Sequence, residues 1–212
     1  MQKHEWRKKE KDIYIPKTKP ELIYVPNQKF ITIDGKGNPN DKPFADKVGA
    51  LYSLAYSIKM MPKRGVTPEG YFDYTVFPLE GLWDLDIEPE DLSSINKDDL
   101  IYTIMIRQPE FVTDDVFKIA LEFTKKKKPS SLLDEISFDV IEDGLSVQLM
   151  HIGSYDDEPT SFRKMSDFIK DNKLIRNKTQ HREIYLSDPR KADPLKMKTV
   201  LRFSVTEEIK FK

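Results

Sequence analysis

The chain of 212 residues contains no cysteine. That absence excludes disulfides, thiol catalysis and cysteine-based metal sites. Histidine is almost as scarce. His4, His151 and His181 are the only three, too few for a multi-histidine metal centre, so neither a metal nor another cofactor is expected. Long apolar runs are missing too. None approaches the roughly 18 residues of a membrane span. Residues 1–11 are polar and charged, without the apolar segment of a secretory signal. The expectation is a soluble, cytoplasmic protein with no membrane contact. Charge of one sign is not in excess: 35 Lys plus Arg stand against 36 Asp plus Glu, a net charge of −1. A general nucleic-acid binder would be clearly basic, so no direct nucleic-acid contact is expected.

What remains is long enough to bury a real core. Residues 1–20 read as an arm, anchored by Trp6, Ile13, Tyr14 and Ile15 among lysines and glutamates. Pro16 and Pro20 argue against regular structure there. Residues 22–33 read as one strand, broken by the turn signal Asp34-Gly35-Lys36-Gly37-Asn38-Pro39. Residues 44–61 read as a helix, with Val48, Leu51, Tyr52, Ala55 and Ile58 at helical spacing and Pro62 beyond. Residues 71–78 and 100–107 are β-rich, separated by an acidic loop over 79–99. Glu80, Asp84, Asp86, Glu88, Glu90 and Asp91 fall in that loop and read as a solvated face, lacking the glycine punctuation of a calcium site. Residues 113–128 read as a second helix, with Thr113 as N-cap and lysines 125–128 favouring the C-terminal dipole.

Residues 136–141 and 145–152 read as a hairpin about Glu142-Asp143-Gly144. A helix from Pro159 to about residue 171 turns Phe162, Met165, Phe168 and Ile169 inward. Strands over 181–186 and 198–205 complete the chain, with 206–212 as a tail. The element order repeats: strand, glycine turn, helix, strand, loop, strand. Residues 30–35 match 148–153, and 75–79 match 183–187, in order and not in identity. The expected fold is α+β: a pseudo-twofold pair of strand-helix-strand-strand units, spanning about 21–110 and 136–205 within a domain 21–205. Their antiparallel sheet would carry helices on one face and a ligand cleft on the other.

The strand over 181–186 has a chemical signature. Ile184 and Leu186 fall on one face; His181, Glu183 and Tyr185 fall on the other. A carboxylate on a sheet face beside an aromatic ring is costly unless it is solvated, paired or used.

Met105-Ile106-Arg107-Gln108-Pro109, Gly81-Leu82-Trp83, Met150-His151-Ile152-Gly153-Ser154-Tyr155-Asp156-Asp157-Glu158-Pro159 and Glu183-Ile184-Tyr185-Leu186-Ser187-Asp188-Pro189-Arg190 together resemble the GyrI-like small-molecule-binding family, in its stand-alone members. Ser154 stands where that family commonly has proline. The resemblance covers roughly residues 20–205. It implies the doubled fold and an aromatic-lined cleft with one central acid, matching Glu183. In the multidrug-responsive MerR-type regulators that share the domain, the acid meets lipophilic cations. Some stand-alone members hydrolyse cyclopropanoid DNA-alkylating compounds. No DNA-binding domain is expected in the chain.

On this reading Glu183 either attracts a lipophilic cation or serves as general base toward a water attacking a strained carbon. Tyr155, at a strand-to-helix turn, can donate to an oxygen gaining charge, or simply pack on the sheet. Trp83 can stack on a polycyclic ligand from a loop, or anchor that loop. Tyr185 shares the face of Glu183. Met105 and Arg107 share a face of their strand, and the pattern leaves that face undetermined. His151 reads as structural, and Tyr52 and Tyr56 as core. The partner expected is a lipophilic aromatic or cationic small molecule. The function is hydrolysis, in a detoxifying role, or sequestration or sensing without turnover.

Overall fold

A computed structural model describes residues 3–85 and 96–208. Among them are nine strands: β1 (Glu21–Val25), β2 (Gln28–Lys36), β3 (Leu79–Leu85), β4 (Leu100–Gln108), β5 (Ser137–Ile141), β6 (Gly144–Ile152), β7 (Leu174–Arg176), β8 (His181–Tyr185) and β9 (Lys198–Glu207). The helices are α1 (Trp6–Lys9), α2 (Lys11–Tyr14), α3 (Lys42–Lys59), α4 (Asp114–Lys127) and α5 (Glu158–Asp171). The chain divides into two compact units. The first is Met1–Trp6 with Gln28–Ile141, the second Arg7–Asn27 with Glu142–Lys212. The α+β, antiparallel architecture expected from the sequence is present.

In the first unit the strand order is β3-β4-β2-β5, antiparallel throughout. Ile31 pairs with Ile106 and Ile33 with Ile104, and all four are buried. Helix α3 forms where Leu51, Leu54, Ala55 and Ile58 recur at helical spacing, and each is buried. Phe44, in its first turn, meets Tyr102 at 5.1 Å and Trp83 at 5.8 Å, which sets the face that α3 covers. Gly35 is required here by space. A Cβ at that position would lie 2.3 Å from the Tyr102 ring, so the ring rests on bare backbone. Helix α4 is capped as the sequence indicates: Val116 N donates to Thr113 Oγ1 at 3.3 Å.

In the second unit the order is β1-β6-β9-β8, with the short β7 also on β9. Met165 and Ile169 of α5 pack on Val147, Leu149, Leu201, Phe203 and Val205. The other face of that sheet holds a polar network under the arm. Arg202 donates to Gln148 Oε1 at 2.8 Å, Asp143 Oδ2 at 3.0 Å and Ile13 O at 3.0 Å. Gln148 Nε2 donates to Asp12 O at 2.7 Å. Arg182 meets Asp143 at 2.8 Å. Because this buried face is polar, its groups find partners in the arm's carbonyls and in one shared carboxylate.

Several sequence expectations need correction. The strand over 22–33 is two strands, β1 and β2, broken at Pro26-Asn27 and assigned to different units. The expected hairpin does not form: β5 pairs with β2, while β6 pairs with β1 and β9. Residues 71–78 do not form the expected strand: Tyr74 makes a bridge to His4, and the strand begins at Leu79 instead. The arm is not irregular, since it winds into α1 and α2 and buries Trp6 and Tyr14. The repeat stands in element order, strand-helix-strand-strand in each unit, but the counterpart of β8 in the first unit's order is β3 and not residues 75–79.

Candidate functional site

Strand β8 sets the geometry. Glu183 pairs across with Leu201 of β9, and Leu201 belongs to the core that α5 covers. The carboxylate is therefore on the helix side of the sheet, not on an uncovered face. The aliphatic face of β8, with Ile184 fully buried, is the one opposite. An aliphatic face does not mark the helix side here, because both faces of this sheet are covered.

Glu183 is 8% exposed, and its partners are specific. Tyr185 Oη donates to Oε2 at 2.7 Å, and His181 Nε2 donates to Oε1 at 2.9 Å. A third partner comes from α5. Glu158, its first residue, is 5% exposed and hydrogen-bonds to Glu183 through its side chain, while its own Oε1 is buried without a partner. Two carboxyls that close cannot both ionise. Burial, then the charge of Glu183, pushes the Glu158 carboxyl up to about 10, so Glu158 holds the proton. An ionised carboxylate has about four acceptor sites. Three are occupied by Tyr185, His181 and Glu158, which leaves one for a water or a ligand.

Tyr155 stands beside the pair. Its ring meets Tyr185 edge-on at 5.9 Å and is 37% exposed. Its hydroxyl is pushed up to about 12, first by burial and then by the charge of Glu183. Tyr185 is pushed well above its ordinary value by the same two causes, burial first. Both phenols therefore remain proton donors at any ordinary pH. The turn that carries Tyr155 is held by His151, whose Nε2 lies 2.9 Å from Ser154 O and Nδ1 2.9 Å from Ser161 Oγ. A carbonyl can only accept, so Nε2 carries the hydrogen. Gly153 precedes this turn at φ 144, a conformation that favours glycine.

The structure brings Glu183, Tyr185 and Tyr155 together in the second unit. Trp83, Met105 and Arg107 lie in the first. Trp83 is not in a loop but in β3, 5% exposed, paired with Tyr102 and touching Phe44. Met105 and Arg107 alternate with Ile104 and Ile106, so they face away from the side Trp83 shares with α3. Met105 is fully buried, and the Arg107 guanidinium lies 4.8 Å from the Phe77 ring. Of the acidic run, Glu80 is buried in β3 rather than solvated, Asp84 is in the same strand, and Asp86, Glu88, Glu90 and Asp91 lie outside the described residues. No group of acids and histidines among the described residues is arranged to hold a metal. No helix there is long and apolar enough to cross a membrane.

Glu158 was not legible as a site residue. An acid in the first turn of a helix, before a proline, reads as an ordinary complement to the helix dipole. The missing signal is its distance from Glu183, which only the pairing of β6, β9 and β8 supplies.

The fold and the site define a class first: an antiparallel α+β protein of two like units, with a buried acid among aromatic rings suited to small molecules. The chain belongs to the GyrI-like small molecule binding domain family, whose model matches residues 18–204. A solved hydrolase from Listeria innocua is 39% identical, with 96% of this chain and 100% of that one covered at a TM-score of 0.87. An uncharacterized conserved protein from Listeria innocua is 41% identical over 96% and 100% of the two chains, at 0.88. The C-terminal domain of EcmrR is 14% identical over 90% and 98%, at 0.51, a likeness of fold alone. No curated protein sequence matches the chain.

Proposed function

We propose that this protein binds lipophilic aromatic small molecules at the Glu183 site and hydrolyses those with a strained, electrophilic carbon, cyclopropanoid compounds being the substrate class, as a detoxifying step in the cytoplasm. The carrying observation is geometric: the buried Glu158 and Glu183 carboxyls are hydrogen-bonded to each other, and Glu183 is also hydrogen-bonded to His181 and Tyr185. A water on the remaining acceptor site of Glu183 gives its proton to the carboxylate and its oxygen to the strained carbon. The ring C–C bond breaks, and its electron pair moves to a conjugated carbonyl oxygen. Tyr155 donates to that oxygen as charge develops, and Glu158 supplies its proton. The water's proton, now on Glu183, returns to Glu158 through their shared hydrogen bond, so the cycle closes with water added across one bond. The likeness to a hydrolase of Listeria innocua supports a reaction over binding alone. Met105 and Arg107 lie in the first unit and face away from the side that Trp83 shares with α3, so this reading does not rest on them. Trp83 is kept as a proposed ligand contact of the first unit by itself, where Phe44 and Tyr102 extend its ring into an aromatic surface on the α3 side.

Glu183→Gln keeps the shape and removes the base. Turnover of a cyclopropanoid substrate should fall by about a hundredfold or more, while affinity for a neutral ligand should change little. Selective loss of cation binding, with no turnover in either protein, would replace the enzyme with a sequestering or sensing protein. Unchanged turnover and unchanged cation affinity would remove Glu183 from the site. Tryptophan fluorescence should respond to an aromatic ligand, and Trp83→Phe should abolish most of the response. A response that survives belongs to Trp6 and removes Trp83 from the ligand set.

A further inference from the structure

Glu158 and Glu183 are chemically the same group, yet the reaction above needs one of them to be the base throughout. Something must break the tie. The surroundings of the two carboxyls differ in the donors aimed at them. Glu183 receives hydrogen bonds from His181 and from Tyr185. Glu158 has an oxygen that is buried and receives none. Hydrogen bonds donated to a carboxylate favour its ionised form.

We infer that His181 is the positioning residue that assigns the base: by donating to Glu183 Oε1, it holds the negative charge on Glu183 and the shared proton on Glu158. This rests on the reading of Glu183 as the functional acid, and it adds the device that makes that acid a base.

Tyr185 contributes the same kind of bond, but it cannot be adjusted, because its hydroxyl stays protonated under all ordinary conditions. His181 differs in three ways. Its ring keeps 22% of its side chain open to solvent. It is held edge-on by Phe162 at 4.8 Å and by Phe203 at 6.5 Å, so its Nε2 is aimed at the carboxylate by packing. Its imidazole is also able to donate from Nε2 in the neutral and in the charged form alike. Of the other charged or titratable neighbours, Asp156 works in the same sense, because its repulsion also favours the proton on Glu158. Tyr155 and Asp156 lie on the turn before α5. Asp188 acts on Tyr155. On β9, the cross-strand partner Leu201 carries no charge, and Phe203 is covered by the Arg176 guanidinium at 3.7 Å.

The test separates this assignment from turnover. In protein labelled with carbon-13 at the glutamate carboxyls, the signals of the pair are identified by their loss in Glu158→Gln and Glu183→Gln. His181→Phe removes the donor and keeps a ring between Phe162 and Phe203. In that variant the Glu183 signal should titrate at a pH higher by about one unit than in the intact protein. His181→Gln places an amide near the position of Nε2 and should restore most of the difference. If substrate turns over, the acidic limb of kcat/KM should move with the Glu183 signal. A Glu183 titration unchanged in His181→Phe overturns the assignment. Should that variant fail to fold, by its circular dichroism, His181→Asn replaces it, because its shorter amide cannot reach Oε1. An unchanged titration there overturns the assignment equally. A shift that His181→Gln does not restore also overturns it, since the donated bond would not be the cause. Absence of turnover in every protein, with the titration shift intact, would refute the hydrolase and leave the role of His181 standing.

Discussion

At the scale of single residues, the buried carboxyl of Glu158 makes a claim about stability as well as chemistry. In the unfolded chain this group titrates near 4.5, and in the fold it is pushed up to about 10. Between those values the folded protein holds a proton that the unfolded chain has released. Unfolding then releases a proton, so raising the pH favours unfolding. The contribution is fully present below the unfolded value and is lost as pH rises toward the folded one. The melting temperature should fall from about pH 5 to about pH 9, and Glu158→Gln, an uncharged mimic of the protonated acid, should flatten that slope. Melts of the two proteins across this range decide it. Equal slopes would mean that Glu158 is ionised in the fold and that the pair does not share a proton. Glu183 itself was legible, because a period-two reading isolates it beside Tyr185. Glu158 was not, because no local pattern distinguishes an acid at a helix start that faces solvent from one that faces another acid.

At the scale of elements, the helices and the strongest strands were readable, and the failures have physical causes. Helices α3, α4 and α5 show apolar spacing and end signals that are local properties of the chain. Strand β3 was hidden because Glu80 and Gly81 are poor strand formers by propensity, and pairing with β4 overrides that. The break at Pro26-Asn27 was hidden because an apolar run continues on both sides of it. The arm shows the same limit. Its lysines and prolines argue against regular structure, yet it winds into α1 and α2, Tyr14 is fully buried and Ile13 O accepts from Arg202. The arm is thus a cover for the polar face of the second unit. Tyr14→Ala should destabilise the protein by about 3 kcal/mol, the usual cost of emptying a buried aromatic site. The denaturant midpoint measures it. A loss below about 0.5 kcal/mol, the range of ordinary surface substitutions, would show the arm to be dispensable cover.

At the scale of the whole molecule, the repeat is cleaner in the sheet than in the chain. The first unit runs β3-β4-β2 and then β5; the second runs β8-β9-β6 and then β1. The outermost strand of each unit is not the one its own sequence block suggests. Strand β1 is separated from β2 by only Pro26-Asn27 but lies on β6, and β5 is separated from β6 by only Glu142-Asp143 but lies on β2. This exchange is why a hairpin was expected where none forms, and it has an experimental consequence. The fragment 142–212 contains Glu158, Tyr155, His181, Glu183 and Tyr185, every residue of the proposed catalytic pair and its donors. It lacks β1 and the arm. Strand β6 would then present an unpaired edge, and Arg202 and Gln148 would lose the carbonyls of Ile13 and Asp12. Fragment 142–212 should therefore be largely unfolded by circular dichroism. Adding a peptide of residues 7–27 should restore strand signal and a cooperative melt, because it supplies the pairing from Glu21↔Gln148 to Val25↔Gly144 and the cover over Arg202 at once. A shorter peptide, 18–27, keeps the strand and omits the cover, so it should restore less. Cooperative folding of 142–212 without any peptide would show that the exchange of outer strands is incidental to how each unit is stabilised.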